Sequence, residues 1–248
     1  MKKIGLLWLG MISIAIAQSN RVNTYQTIGW YNLFATVKVS EKNSIHAEYQ
    51  FRRDEWITNW QQSLLRIGYN HNFSKRVQLR LGAVWIETFP YSDIPINALG
   101  KDFTDLRTFQ QVTIQDEFSY LTLSHRFMLE QRWVGRYSSP DLEQEDDYQY
   151  LNRIRYMARV QVPFSKKSKE KFTYFAAYDE VFIGFGNQIG ENIFDQNRLG
   201  LMIGRKFNNH VRVEMGYLNQ IVQLGREING FNSFQHNHGL ILNTFLDF

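Results

Sequence analysis

The chain closes with Gly239-Leu-Ile-Leu-Asn-Thr-Phe-Leu-Asp-Phe248, and this stretch indicates the fold. Counting back from the last residue, uncharged side chains stand at every second position, and polar ones stand between them: Leu246, Thr244, Leu242 and Leu240 against Asp247 and Asn243. Successive side chains of a strand point to opposite faces, so the stretch has one lipid-compatible face and one polar face. Such a final strand is typical of bacterial outer-membrane β-barrels, in which closure leaves no strand edge unpaired.

The amino terminus has the features of a secretory signal peptide. Lys2 and Lys3 precede an apolar run, and Ala15-Ile16-Ala17 offers a small-x-small cleavage site before Gln18. The run is shorter than the roughly 20 apolar residues that a spanning helix needs. We therefore predict a cleaved signal peptide over residues 1–17 and a single barrel domain over residues 18–248, located in the outer membrane of a Gram-negative bacterium.

The composition argues against nucleic acid as a partner and against cysteine-dependent sites, and it fits a membrane barrel. Loss of Lys2 and Lys3 lowers the formal net charge from +4 to about +2, so the basic isoelectric point does not argue for nucleic acid. The arginines are also spaced singly along the predicted strands instead of clustered, and no nucleic-acid partner is predicted. The chain has no cysteine, which excludes disulfides and cysteine-ligated metals. An aromatic content of 15% fits girdles of aromatic side chains at two membrane interfaces.

Alternation of apolar and polar residues continues through most of the chain. The first hairpin has apolar residues at every second position in 31–39 and 45–51, on either side of the polar turn Ser40-Glu-Lys-Asn43. Repeating this pattern gives about eleven candidate strands. Because single-chain bacterial barrels usually have an even number of strands, we predict an antiparallel transmembrane β-barrel of about ten to twelve strands, with twelve preferred.

The predicted connections fall into two length classes. Short turns are expected near residues 40–43, 74–76, 116–120 and 208–210, and longer ones near 89–105, 134–148, 184–194 and 224–234. Short periplasmic turns and long external loops are the usual asymmetry of outer-membrane barrels. The basic run Lys166-Lys-Ser-Lys169 is interpreted as a polar periplasmic turn, and the acidic run 143–147 as part of a solvated external loop.

Charged side chains alternate with the apolar ones and are therefore predicted to face the lumen. The predicted charge network consists of Glu48, Arg52, Arg66, Arg80, Arg126, Glu130, Arg132, Arg153, Arg155, Arg198, Arg212 and Glu214. One interpretation is a lumen in which Arg–carboxylate pairs hold the barrel rigid, with Glu130 serving Arg126 or Arg153. The other is that the excess of arginine selects anions in a pore.

The sequence gives little support for a catalytic or metal site. Ser124 and His125 are adjacent in a strand and therefore point to opposite faces, so they do not form a nucleophile and base pair. His236 and His238 share a face and have a loop carboxylate, Glu227, nearby in sequence, but a third convincing ligand is missing. No catalytic residue, metal site or cofactor is predicted.

Several short blocks together resemble the family known as domain of unknown function 2490. They are Glu48-Tyr-Gln-Phe-Arg52, Leu123-Ser-His-Arg126 with Leu129-Glu-Gln-Arg132, Asn152-Arg-Ile-Arg155, Asp179-Glu-Val-Phe182 and Asp195-Gln-Asn-Arg198. The resemblance covers nearly all of the mature chain. It implies an outer-membrane barrel and assigns no activity, because none is assigned to the family.

The sequence thus predicts a non-enzymatic outer-membrane barrel, either structural or a narrow passive pore. The alternative is a lipid-modifying enzyme with a site at the outer rim, around His236 and His238. A soluble periplasmic barrel that binds a ligand would require the apolar faces to point inward. The expected partners are outer-membrane lipid, lipopolysaccharide and the barrel assembly machinery, which would engage the strand ending at Phe248.

Overall fold

Strands account for all the regular secondary structure in the computed structural model, which describes residues 21–165, 170–190 and 192–248. They are β1 (Val22–Lys38), β2 (Asn43–Asp54), β3 (Asn59–Asn72), β4 (Val77–Thr88), β5 (Phe103–Glu117), β6 (Thr122–Arg136), β7 (Asp147–Pro163), β8 (Phe172–Phe185), β9 (Phe194–Lys206), β10 (Val211–Ile228) and β11 (Phe231–Asp247). Among the described residues, no helix is long and apolar enough to cross a membrane. The predicted signal peptide and the basic run 166–169 lie outside the described residues.

Each strand pairs with the next in antiparallel fashion, and β1 pairs with β11 in parallel to close the barrel. A closed all-β barrel in the predicted range of strand numbers is confirmed. The described residues form eleven strands, not the preferred twelve. An even number is needed only when the first strand starts at the same end of the barrel where the last strand finishes. Here β1 and β11 run in the same direction, from Val22 beside Ser233 to Thr36 beside Asp247.

The connections divide between two ends of the barrel. The end that we call the turn end has the connections 39–42, 73–76, 118–121 and 207–210, and β7 ends and β8 begins there. The opposite end, the loop end, has 55–58, 89–102, 137–146 and 229–230, and β8 ends and β9 begins there. The four predicted short turns and three of the four predicted long connections are found.

The predicted long connection at 224–234 is wrong, because β10 and β11 continue to a two-residue turn. Asn229 and Gly230 have positive φ angles of 54° and 77°, the conformation that Asn-Gly favours in tight hairpins. A register shift between Gln223 and Glu227 accommodates the extra residues on β10. The Asn-Gly pair was the available sequence signal.

The outer surface of the barrel is apolar around its circumference. Each strand from β1 to β10 has at least one exposed apolar side chain: Leu33, Ile45, Leu65, Leu81, Leu106, Phe127, Ile154, Phe175, Leu201 and Met215. Exposed aromatic side chains stand near both ends, with Tyr69, Phe73, Phe118 and Phe207 at the turn end and Tyr25, Trp56, Trp133 and Phe231 at the loop end. In the described strands the apolar faces therefore point outward, as predicted, and not inward as a soluble ligand-binding barrel requires.

The interior also contains apolar side chains, which alternation alone does not predict. One cluster lies on the walls formed by β1 and β8 to β11 and consists of Ile28, Trp30, Tyr174, Ala176, Met202, Leu218 and Ile241. A second cluster lies on β3 to β6 and consists of Leu64, Val84, Ile86, Phe109 and Met128. Inward glycines make room for the rings. A Cβ at Gly200 would lie 2.2 Å from Tyr178 Cε1, for example.

Candidate functional site

An elongated cavity of about 1140 Å³ occupies the lumen. Its wall includes Tyr91 and Leu99 at the loop end and Ser119 and Asp247 at the turn end. It therefore extends over most of the length of the barrel. Every member of the predicted charge network except Glu130 lines this cavity, and the members project inward from β2, β3, β4, β6, β7, β9 and β10.

The most heavily paired part of the lumen is centred on Glu130 of β6, which is fully buried. Its carboxylate accepts hydrogen bonds from Arg153 at 2.5 Å and from Arg155 at 2.8 Å, and Arg107 lies 3.6 Å away. Arg153 on β7 is the cross-strand neighbour of Glu130, so the strand register itself brings the two together. The expected contact with Arg126 is not found, because Arg126 pairs with Glu180.

Three further carboxylates complete this group, and none belongs to the predicted set. Asp105 lies 2.5 Å from Arg107 and 2.6 Å from Arg132. Glu180 accepts from Arg126 and Arg155, both at 2.8 Å, and Asp195 pairs with Arg153. We call this group the paired cluster: Asp105, Arg107, Arg126, Glu130, Arg132, Arg153, Arg155, Glu180 and Asp195. Asp105, Arg107 and Glu180 follow the period of two of their strands, so alternation could have identified them. Asp195 is out of phase with the inward Arg198 and lies beside the register shift between β8 and β9, so alternation alone does not place it in the lumen.

Two smaller ion pairs lie outside the paired cluster. Arg66 donates to Glu48 at 2.7 Å, and Arg159 donates to Glu214 at 2.6 Å. Glu214 also accepts a hydrogen bond of 2.7 Å from the Tyr174 hydroxyl. Charges buried in this way need partners, and each of these carboxylates has at least one.

Four arginines of the predicted charge network have no carboxylate oxygen within 4.0 Å in the part of the chain that the structure describes: Arg52, Arg80, Arg198 and Arg212. They bond to amides or lie against aromatic rings. Arg80 donates to the Asn70 side-chain oxygen at 2.5 Å, and the Arg212 guanidinium lies 4.0 Å from the centre of the Phe245 ring. The lumen therefore carries more positive than negative charge.

The connection 89–102, which we call the mouth segment, crosses the loop end from β4 and β5 to the opposite wall. Its Tyr91 hydroxyl donates to Gln235 of β11 at 2.9 Å, and Gln235 donates to the carbonyl of Ile94 at 2.7 Å. Arg226 of β10 donates to the carbonyl of Pro95 at 2.6 Å. Burial raises the pKa of the Tyr91 phenol, which keeps it protonated as a donor. The mouth segment narrows the opening at the loop end.

The candidate catalytic and metal residues are not brought together. Ser124 lines the cavity, while His125 on the opposite face lies 2.8 Å from the Tyr156 hydroxyl. His236 lies 3.1 Å from the Asn23 side-chain oxygen and stacks on Tyr25 at the outer surface. Within residues 21–165, 170–190 and 192–248, no group of three or more side chains is placed to hold a metal ion.

Comparisons with known proteins identify the family of the chain. No curated protein and no solved structure shows significant similarity to the chain. A family model described as "Protein of unknown function (DUF2490)" matches residues 27–230, which include most of β1 and all of β2 to β10. The match covers well over half of the sequence, so the chain belongs to the DUF2490 family of proteins of unknown function.

Proposed function

We propose that this protein is a non-enzymatic barrel of the bacterial outer membrane that acts as a narrow passive pore for small anions. The observation that carries the proposal is the elongated cavity of about 1140 Å³ with unpaired arginines in its wall. Rings of charged side chains set the ion preference of channels, and arginine favours anions.

The outer surface supports a membrane location. A belt of exposed apolar side chains, including Leu65, Ile154 and Leu201, surrounds the barrel, with aromatic residues toward both ends. Lipid-facing bands flanked by aromatic girdles are the usual exterior of transmembrane barrels. A soluble barrel would expose this area to water at a cost of about 25 cal/mol per Å² of apolar surface. We infer that the turn end faces the periplasm and the loop end faces outward.

The distribution of charge in the lumen supports a preference for anions. The carboxylates Glu130, Asp105 and Glu180 each contact at least two arginines. They are therefore neutralised where they lie, while Arg80 and Arg212 face the cavity without a carboxylate contact in the described structure. A cation passing through would meet this positive field, whereas an anion would be attracted.

Planar-bilayer recordings of the refolded protein test the proposal. We expect small, stable currents and a reversal potential in a salt gradient that indicates preference for chloride over potassium. Arg80→Gln should weaken this preference, whereas Arg205→Gln, on the outer face, should leave it unchanged. A preference for cations would contradict the proposal.

The orientation is tested by cysteine labelling, which the absence of native cysteine makes simple. Arg21→Cys lies beside the start of β1 at the loop end, and Glu41→Cys lies in the turn 39–42. A polyethylene-glycol maleimide too large for porins should label Arg21→Cys on intact cells and Glu41→Cys only after lysis. The reverse pattern would show that the barrel is inserted the other way.

A purely structural barrel is the second candidate, and the paired cluster favours it. Arg107, Glu130 and Arg153 fill lumen space and bind neighbouring walls together. In that case the refolded protein would show no current although it is fully inserted. Heat-modifiable migration on gels provides the check for insertion, because a closed barrel resists detergent until it is boiled.

A further inference from the structure

Two lumen arginines, Arg52 and Arg198, lie against the same side chain, that of Trp30, and Arg52 is the nearer of the two. They are cross-strand neighbours on β2 and β1, and the guanidinium carbon of Arg52 lies 3.9 Å from the centre of the Trp30 ring. Arg52 is only 3% exposed. Its guanidinium donates to the side-chain oxygens of Gln50 and Gln62, which are neutral. A nearly buried charge is thus held by amides and an indole.

Arg198 of β9 approaches the same indole. Its guanidinium carbon lies 4.8 Å from the centre of the Trp30 ring and 4.6 Å from that of Phe182. Only its Nε atom has a hydrogen bond in the described structure, to the Gln196 side-chain oxygen at 3.1 Å. The side chain lines the cavity, so its two terminal nitrogens are available to a ligand there.

The nearby carboxylates do not neutralise these two arginines. Glu180 is the cross-strand neighbour of Arg198, but its carboxylate accepts from Arg126 and Arg155 instead. Glu48, on the same face as Arg52, accepts from Arg66 at 2.7 Å. Two guanidiniums therefore share one indole without an ion-pair partner of their own among the described residues. Like charges held together away from bulk water disfavour each other unless an anion binds between or beside them.

We propose that Arg52, Arg198 and Trp30 form a binding site for an oxyanion, the phosphate or carboxylate group of a small molecule. The proposal deepens the proposed function, since an anion passing along the lumen would pause at this site. The planar guanidinium matches an oxyanion with paired hydrogen bonds. The Trp30 indole holds both guanidiniums by cation–π contact and gives an attached apolar group a surface to pack on.

Binding is measured by isothermal titration of the refolded full-length protein in detergent, with inorganic phosphate and benzoate as separate probes. We expect saturable binding of at least one probe. Arg198→Gln should weaken it by about tenfold or more, because a charge-assisted hydrogen bond is lost. Tighter binding of benzoate than of phosphate would identify the ligand as an apolar carboxylate, and the opposite order would identify a phosphate compound.

Arg53→Gln is the matched control, because Arg53 of β2 also lies against aromatic rings, those of Phe51 and Trp60, but does not line the cavity. It should leave binding within about twofold. Equal losses in both variants, or no loss in Arg198→Gln, would overturn the site. If Arg198→Gln refolds poorly, Arg198→Lys keeps the charge without the planar fork and should bind more weakly than the native protein.

The anion pore and the oxyanion site can each be rejected independently of the other. Titration does not require a current, so saturable binding lost in Arg198→Gln would establish the site even if the barrel proves closed in bilayers. Conversely, an anion-selective current with no probe binding at all would support the pore and reject the site.

Discussion

Arginine occurs in two different settings in the lumen: with carboxylate partners in the paired cluster, and without them at Arg52, Arg198 and Trp30, which we call the Trp30 site. In the paired cluster, Glu130 is fully buried and contacts Arg153 and Arg155. At the Trp30 site, Arg52 and Arg198 contact amides and aromatic rings. The cluster satisfies its own charges, whereas the site leaves a surplus of positive charge beside a cavity.

This difference shows that the number of inward arginines is a poor guide to what a lumen does. The relevant quantity is how many carboxylates the strand register places beside each arginine. Glu180 illustrates the point, because it lies next to Arg198 in the register yet pairs with Arg126 and Arg155. The paired cluster therefore suits a rigid wall, and the surplus charge around Trp30 suits the proposed binding of an anion.

The largest effect is expected for Glu130→Gln, which leaves Arg153 and Arg155 with one charged partner fewer. Removing one member of a buried ion pair costs about 3–5 kcal/mol, and the free energy of unfolding should fall by that order. Denaturant unfolding in lipid or detergent measures it. Glu117→Gln, at an exposed cavity-lining position near the turn end, is the control and should change stability by less than about 0.5 kcal/mol. Equal midpoints for the two variants would show that the paired cluster does not hold the barrel together.

A substitution on the outer face tests whether both regions really lie inside a membrane barrel. Leu201→Arg places a charge on the outer surface of β9, where the cost in lipid is about 2–4 kcal/mol. Val39→Arg, in the turn 39–42, should cost at most about 1 kcal/mol because it lies near the end of the barrel. Folding yields in liposomes compare the two. Similar yields would argue against a lipid-facing position for Leu201.

Only a small change in stability is expected for Arg198→Gln, in contrast to its large expected effect on anion binding. Arg198 has no carboxylate contact in the described chain, and its removal relieves repulsion with Arg52. The free energy of unfolding should change by less than about 1 kcal/mol, in either direction. A loss as large as that of Glu130→Gln would mean that Arg198 belongs to the structural network, and the contrast between the two regions would disappear.

Much of the fold was predictable because a strand places its side chains by local alternation. The period of two located the strands, the outward face of Leu201 and the inward face of Arg198. It failed where a feature does not follow that period. The preference for twelve strands came from a rule about chain ends, and the parallel contact between β1 and β11 is the feature that breaks it. The connection predicted at 224–234 was wrong because the turn preference of Asn229-Gly230 was not weighed.

The sequence by itself determined that the chain forms a barrel with an apolar exterior and an arginine-rich interior, since both properties depend only on which residues alternate. The tertiary structure alone decided which carboxylate neutralises which arginine. Arg153 pairs with Asp195, and Arg159 pairs with Glu214, although tens of residues separate the partners in the sequence. Such contacts depend on strand register and on barrel closure, which are properties of the whole sheet. For the same reason, only the folded barrel places Arg198 of β9 against Trp30 of β1.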